Sequence, residues 1–479
     1  MADTQGHLPS LPWSAAVFQI ALVELVMLMH NSVMLPVVDG VAMNVSIFIS
    51  GLIYVPVAIL ARRQPSALSL AGFSGIAAAC AAVGAILWTS VAANPADTTL
   101  FLVADTLFNI GRAWGTILAV LTLSRIPRGD RTMFAALSGI AIGYAVWPLM
   151  RSAAEASPLM LASIMLCTLI ASGSACQRDL FARMRDAAPP SDLAPTNPFS
   201  FVPISSKLFA CIALFETTFG FSTSVRFGAI ENWQYALIAV VFGALMLVWS
   251  RAKRITFDED AAFHVSALVV VAGFLLMPAT SISQGFTSTI IEIGSQCFYA
   301  LMLSTFASIA ARNPAWSLAS IPFGFAVSSC SSSVGFAIAR GALAAQDGGS
   351  ADAILITSAA LVLVLFAFVW IGLSGFSFRA FFSEIVPAAP TEEREALPGA
   401  DAGARAAAAL ALFAQERGLT AREREIFELL ARGHSGKSIM ERLTISGNTV
   451  KTHTRHIYHK CNVHSQQELI DLVEEAIGR

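Results

Sequence analysis

The chain has 479 residues, 56% of them apolar and only 13% charged, with a mean hydropathy of +0.67, which is too apolar for a soluble globular protein of this size. Its 30 Lys+Arg and 32 Asp+Glu leave a net charge of -2, and 25 of these 62 charges fall in the last 89 residues, Thr391 to Arg479, against 37 in the preceding 390. This distribution excludes a purely soluble enzyme, a disordered chain and a secreted disulfide scaffold, and implies a long lipid-embedded part followed by a short water-soluble tail.

The first apolar run follows Met1 to Pro12, a segment without Lys or Arg, and contains no small-residue cleavage site, so the first helix is expected to stay in the mature chain. A spanning helix needs about 20 mostly apolar residues, and only helices or closed barrels satisfy their backbone groups in hydrocarbon. The apolar runs predict twelve spans, at 13–36, 41–61, 67–89, 99–124, 132–150, 157–176, 203–225, 232–250, 261–279, 286–311, 315–340 and 351–374. The seven cysteines (Cys80, Cys167, Cys176, Cys211, Cys297, Cys330, Cys461) are odd in number, lack CxxC spacing and lie mostly within these runs. There Cys acts as a small hydrophobe, so neither a disulfide framework nor a zinc site is expected.

Loop charge gives the orientation. Connections after even-numbered spans hold Arg62 and Arg63, then Arg125, Arg128 and Arg131, then Arg178, Arg183, Arg185 and Lys207, then Arg251, Lys253 and Arg254, then Arg312. Those after odd-numbered spans hold only Arg151, Arg226 and Arg340. Since Lys and Arg accumulate on the cytoplasmic side, a multi-pass protein of the cell membrane with both termini in the cytoplasm is expected, and Arg379 beyond the last span agrees.

The connection from Gln177 to Val202 differs from the rest in length and in its Pro-rich stretch PPSDLAPTNPFSFVP, which reads as a semi-rigid linker between two sets of six spans. Ile20-Ala21-Leu22-Val23-Glu24 in the first span recurs as Ile212-Ala213-Leu214-Phe215-Glu216 in the seventh, and the basic pair Arg62-Arg63 corresponds to Lys253-Arg254. A duplicated six-helix unit is the preferred reading. This arrangement, over Trp13 to Gly375, resembles the major facilitator superfamily in architecture, although ARRQPS after the second span is only a basic turn where that family has a Gly- and Arg/Lys-rich loop. The implied domains are an N-terminal cytoplasmic segment (1–12), two six-helix halves (13–176 and 203–375) joined by the loop 177–202, a linker with an Ala-rich helix (376–417) and a C-terminal domain (418–479). The fold class is all-α throughout.

Ionisable side chains within spans cost several kcal/mol if they face lipid, so Glu24, Asp105, Arg112, Glu216 and Glu292 are expected to face the bundle interior as candidate ligand-binding residues. Glu24 and Glu216 are the symmetry-related pair. Asp105 and Arg112 lie two turns apart on one helical face, and with Glu292 they serve equally well as buried ion pairs that fix packing. If carboxylates outnumber cations in the cavity, a cationic ligand follows. His264, near the end of its span, reads as interfacial.

Beyond the acidic, Pro- and Gly-containing linker, the stretch from Ala404 to Arg417 is helical by propensity. Thr420 with Glu423 forms a capping box that opens a helix from Ala421 to about Gly433. Ser435 to Leu443 gives a second helix, Ser446 caps a third reaching about Cys461, and Ser465 with Glu468 opens a fourth. In the third helix Val450, Ile457 and Cys461 fall on one stripe, and Asn448, Lys451, Thr452, Arg455 and His459 on the other. From Ser446 to Cys461 there are three cations, Lys451, Arg455 and Lys460, and no acidic residue, the charge pattern of a helix that enters a major groove. His453, His456 and His459 share no clean face and have no second ligand cluster, so no metal is expected.

The runs LTAREREIFELLARGHSGKSI and ISGNTVKTHTRHIYHKCNV resemble the LuxR-type DNA-binding domain over about Gly418 to Arg479. The resemblance implies a four-helix helix-turn-helix module that binds double-stranded promoter DNA as a homodimer, with RNA polymerase a further candidate partner. On the cationic face of the third helix, Lys451, Thr452 and Arg455 are expected on base edges, with Asn448, Thr449 and Lys437 on phosphates. His453 matches the family motif as a structural residue. Gly436, Ser438, Cys461 and Gln466 stand where the family usually has Asn, Glu, Leu and Arg, and Gln466 removes a phosphate contact. With no nucleophile-base constellation, phosphate loop or metal cluster in the sequence, neither an enzyme nor a cofactor is expected. The combined expectation is a one-component transcriptional regulator that senses a small molecule in the membrane; a secondary transporter with an appended tail is the alternative.

Overall fold

The structure is a computed structural model that describes residues 11–34, 36, 38–64, 67–126, 129–186, 207–225, 231–251, 259–276, 284–312, 314–349, 352–373, 417–431, 434, 436–443, 447–461, 463 and 466–477. The chain divides into two compact units, Met1–Ile385 and Val386–Arg479. The expected Ala-rich helix at 404–416 and most of the Pro-rich connection lie outside the described residues.

In the first unit α1 is Leu11–Met29, extended by a π-helical turn over His30–Met34. The next helix, α2, runs Gly40–Leu52 and, past a break at Ile53, Tyr54–Arg63. Then follow α3 (Leu70–Ala93), α4 (Thr98–Leu123), α5 (Gly129–Ala156), α6 (Pro158–Asp186), α7 (Lys207–Val225), α8 (Asn232–Arg251), α9 (Glu259–Leu276), α10 (Gln284–Arg312), α11 (Pro314–Asp347) and α12 (Ala353–Ala367, with a π turn Phe368–Gly372). Eleven of these are long and apolar enough to cross a membrane; the apolar part of α8, Asn232–Val248, is shorter. The sixth helix continues ten residues past the expected end at Cys176, to Asp186, because QRDLFARMRD keeps Leu180 and Phe181 buried while Arg178 and Asp179 are exposed. Leu149, Ile371, Ile86 and Leu363 are among the most exposed side chains, an outward apolar surface that suits lipid.

Helix contacts obey a shift of six: α1 packs on α5 as α7 does on α11, α3 on α4 as α9 on α10, and α3 on α6 as α9 on α12. Across the halves α2 meets α11 as α8 meets α5, while α4 meets α10 directly. The glycines repeat the pattern. A Cβ on Gly111 of α4 would come within 3.0 Å of the Ala77 carbonyl on α3, and one on Gly294 of α10 within 3.1 Å of the Ser266 carbonyl on α9. Without a hydrophobic drive between helices in lipid, such close backbone approach supplies the packing energy. The six-plus-six repeat is thus present in the three-dimensional contacts as well as in the five-residue recurrence.

The second unit contains α13 (Ala421–Ala431), α14 (Gly436–Leu443), α15 (Gly447–Cys461) and α16 (Gln466–Ile477). Ile426, Phe427 and Leu430 of α13 pack with Ile439 of α14, Val450, Ile457 and Cys461 of α15, and Leu469 and Val473 of α16 in a core of their own. The start of α13 is fixed locally. Gly418 takes φ 64°, a conformation costly for any other residue. The expected capping box forms: the Thr420 backbone N-H donates to Glu423 Oε2 at 2.8 Å, and the Glu423 N-H to Thr420 Oγ1 at 3.3 Å.

Candidate functional site

The α15 helix buries Val450, Ile457 and Cys461 and leaves Lys451, Thr452, Arg455, His456 and His459 exposed. Lys460, counted among the cations of this helix, instead turns back to the capping box: its Nζ donates to Glu423 Oε2 at 2.7 Å and to the Gly418 carbonyl at 3.0 Å. The exposed cations of α15 are therefore Lys451 and Arg455, one turn apart. Burial works to raise the Glu423 carboxyl, but bonds from Lys460, the Thr420 backbone and the Thr420 hydroxyl outweigh it and bring the pKa down to about 2. Thr449 is half-buried, and the side chains of Lys437 and Asn448 lie outside the described residues. Gln466 has a structural role that its place in the sequence did not suggest: its Nε2 donates to the carbonyls of Leu430 at 2.9 Å and His434 at 3.1 Å, closing the C-terminal end of α13. His453 is half-buried, His459 is exposed, and His456 Nδ1 lies 3.8 Å from Glu423 Oε1.

The membrane unit encloses a cavity of about 620 Å³, within the range that holds a drug-sized molecule. It occupies the half of the bundle beside the odd-numbered connections, from Pro36, Gly40, Arg151 and Arg340 at that end to Tyr54, Arg112, Thr116 and Tyr299 at mid-depth. Tyr54 stacks on Phe325 with ring centroids 5.4 Å apart, and Phe325 lies 5.7 Å from Phe306, so aromatic rings form its floor.

Of the expected ligand residues, Arg112, Glu216 and Glu292 line this cavity. Glu292 Oε1 accepts from the Tyr144 hydroxyl at 2.7 Å and from Gln296 Nε2 at 3.2 Å. Glu24 and Asp105 are not in the lining. Glu24 is fully buried, neither of its oxygens has a hydrogen-bond partner among the described residues, and it stands within electrostatic range of Tyr144, Tyr299 and Glu292. Asp105 is the centre of a buried network: His30 Nε2 donates to its Oδ1 at 2.7 Å, and Asn109 Nδ2 (2.7 Å) and the Ser46 hydroxyl both donate to its Oδ2. Asp105 and Arg112 are linked through Asn109, whose Oδ1 accepts from Arg112 Nε at 2.7 Å. The π turn at His30–Met34 carries His30 at its first position. His264 is exposed, its Nδ1 2.6 Å from the Asp260 carbonyl.

Sequence reasoning missed the tyrosines. Four of the chain's five, Tyr54, Tyr144, Tyr235 and Tyr299, line the cavity. The available signal was their depth: Tyr in a spanning helix normally sits at the membrane interface, whereas three of these four fall well inside their runs. The hydroxyls Ser328, Ser329 and Ser332 of α11 also face the cavity, marked in sequence by the run SSCSSS.

Residues 417–473 match the family of bacterial regulatory proteins, luxR family. The same region is 44% identical over 53 residues to the oxygen regulatory protein NreC of Staphylococcus carnosus, covering 11% of this chain and 24% of NreC. It is 34% identical over 59 residues to the HTH-type transcriptional regulator MalT of Vibrio cholerae, covering 12% of this chain and 6% of MalT. The chain thus spans a quarter or less of the length of these relatives. Among solved structures, the human organic anion transporter MFSD10 superposes with a TM-score of 0.49 at 13% identity, covering 76% of this chain and 100% of that one. The major facilitator superfamily transporter FucP superposes with a TM-score of 0.44 at 15% identity, covering 75% and 98%. The C-terminal segment is a LuxR-type helix-turn-helix domain, and it follows a polytopic all-α membrane bundle.

Proposed function

We propose that the protein is a membrane-embedded one-component transcriptional regulator. A small molecule bound in the membrane cavity shifts the bundle between conformations, and the shift changes how the C-terminal domain binds promoter DNA. The observation that carries this reading is the exposed face of α15. Lys451, Thr452 and Arg455 stand clear of the core on a helix without an acidic residue, in a domain that retains its cap and its own hydrophobic centre. A face of that charge and width fits a major groove. In this reading Lys451, Thr452 and Arg455 meet base edges, Asn448, Thr449 and Lys437 meet phosphates, and the domain pairs on a two-fold site. DNA lies in the cytoplasm, so both termini are placed there, as the loop charges also indicate.

Chromatin immunoprecipitation of the full-length protein from membranes, beside a Lys451→Ala/Arg455→Ala version, tests this. Discrete peaks that vanish in the double variant are expected; no peaks under any growth condition would overturn it. The cavity favours one second reading, a secondary transporter with an appended tail, because it lies between two repeat-related halves and is floored by aromatic rings at mid-depth. A reporter on the target promoter, compared in wild type, Glu24→Gln and Glu216→Gln, separates the readings at the ligand site; unchanged induction in both variants removes those carboxylates from sensing.

A further inference from the structure

The charges of the cavity are unevenly matched. At its outer end each cation has an acidic neighbour: Arg151 Nε donates to Glu155 Oε1 at 2.9 Å, and Arg340 lies in electrostatic range of Asp39. Deeper in the cavity the matching is indirect: Asp105 lies in electrostatic range of Arg112 but is joined to it only through Asn109. Arg112 uses its Nε on Asn109, and its terminal nitrogens bond nothing among the described residues. The carboxylate behind it, Asp105, has its oxygens occupied by His30, Ser46 and Asn109. Glu216, on the opposite half of the repeat, has the Ser328 hydroxyl beside it and no ion-pair partner among the described residues. Tyr299 stands within electrostatic range of both Arg112 and Glu216, yet the two form no ion pair.

A cation and a carboxylate removed from bulk water would normally meet, since each is costly to desolvate alone. Here Arg112 on α4 and Glu216 on α7 line the same cavity without pairing among the described residues. With Arg151 and Arg340 matched at the outer end, the rest of the lining holds one arginine, Arg112, and two carboxylates, Glu216 and Glu292, so both signs of charge are offered to one ligand. We propose that the cavity is a bipolar recognition site for a zwitterionic small molecule, its anionic group on Arg112 and its ammonium on Glu216 and Glu292, reached from the face of the odd-numbered connections. The tyrosines supply hydroxyl donors and, for the ammonium, ring faces. The direction of access rests on the regulator reading: a chain leaving the twelfth span exits on the even-numbered face, and the DNA-binding segment must be cytoplasmic, so the cavity faces outward. The protein is then a receptor for a zwitterion outside the cytoplasm.

The test uses full-length protein with single cysteines introduced at each pole, Thr116→Cys one turn from Arg112 and Ser328→Cys beside Glu216, read by mass spectrometry at the introduced site so that native cysteines do not interfere. Spheroplasts and inverted vesicles are treated with two membrane-impermeant reagents, 2-(trimethylammonium)ethyl and 2-sulfonatoethyl methanethiosulfonate, with rates normalised to a free thiol. In spheroplasts the sulfonate should react about ten-fold faster than the ammonium at Thr116→Cys, and the ammonium about ten-fold faster at Ser328→Cys; a ten-fold ratio is a difference of about 1.4 kcal/mol between the two oppositely charged reagents. Adding Arg112→Gln should erase the first preference alone. The same preference at both sites, or labelling only in inverted vesicles, would overturn the proposal. Tyr54→Cys, whose side chain adjoins Thr116, replaces Thr116→Cys if that variant does not reach the membrane.

A second arm measures thermal unfolding of the purified protein with phenylalanine, phenethylamine and 3-phenylpropanoate, which share a skeleton and carry both charges, the cation alone and the anion alone. Phenylalanine should stabilise at a concentration at least five-fold lower than either analogue. An analogue that acts as well as phenylalanine, or no stabilisation by any of the three, would count against a zwitterion site. Neither arm involves DNA, so their failure leaves the helix-turn-helix reading standing, and a failed immunoprecipitation leaves the polarity result intact.

Discussion

Glu423 makes the stability of the C-terminal domain depend on pH. It is 4% exposed, caps α13 and accepts from Lys460 of α15 at 2.7 Å, so a single carboxylate joins the first and third helices. Its pKa lies at about 2 against an ordinary 4.5. The unfolded chain therefore takes up a proton that the folded domain refuses, and the stabilisation is complete above about pH 4.5 and lost as pH falls toward 2. At about 1.4 kcal/mol per pH unit the gap corresponds to an upper figure of about 3 kcal/mol. Lys460 is 33% exposed, and solvent screening of its charge reduces this to about 2 kcal/mol. Glu423→Gln keeps an acceptor for the Thr420 N-H and removes the charge. In urea unfolding of a 417–479 fragment, followed by circular dichroism, the variant should lose about 2 kcal/mol at pH 7. For an m-value near 1 kcal/mol/M that is a midpoint lower by about 2 M. At pH 3 the difference should shrink to less than half. Equal midpoints at pH 7, or a difference that widens on acidification, would refute the role assigned to the pair.

Three further outcomes follow from the geometry. Lys451→Ala and Arg455→Ala should each lower the salt dependence of promoter binding or cost about 1–3 kcal/mol at a cognate base pair and leave thermal stability unchanged, whereas Lys460→Ala should lower stability and leave the salt slope alone, as measured by titrations at several salt concentrations. Gly335→Ala places a Cβ 1.9 Å from the Thr217 carbonyl where α11 crosses α7, so the detergent-solubilised protein should lose about 1–3 kcal/mol; Gly243→Ala, with nothing within 4 Å of its Cβ, should lose none in the same thermal scan. Asp105→Ala leaves His30, Ser46 and Asn109 without their shared acceptor, a loss of about 3 kcal/mol or more that should show as a lower unfolding temperature of the membrane unit.

Much of the fold was legible because its signals are local. Twelve apolar runs need only length and composition, and every one is matched by a helix, most with boundaries shifted by a few residues; α5 and α11 ran six and seven residues past their expected ends, and α6 ran ten past because an amphipathic stretch continued it into a basic connection. The caps at Thr420 and the stripe Val450, Ile457 and Cys461 are likewise written within one or two helical turns, and all four tail helices begin within one residue of their expected starts. What was not legible depends on distance through the bundle. Lys460 lies on the cationic helix, and only the 37-residue separation closed by folding shows that its partner is Glu423. Gln466 reads as a missing phosphate contact until its amide is seen on the carbonyls of Leu430 and His434.

Glu24 and Glu216 make the same point about the site. In sequence they are equivalent, the last residues of a repeated five-residue run on the first helix of each half. Folding gives them different surroundings. Gly143 on α5 allows that helix to press against Glu24, where a Cβ would come within 2.6 Å of the Glu24 Cβ, and the carboxylate is sealed without a partner. Glu216 remains open to the cavity beside Ser328. A repeat whose halves had stayed equivalent would add two like charges to the lining; the asymmetry leaves only one of the pair, Glu216, in the wall beside Glu292, and α4 of the other half adds Arg112. The polarity of the cavity therefore arises from the divergence of the two halves, and a symmetric reading of the sequence could recover the carboxylates but not the direction of the field they share with Arg112.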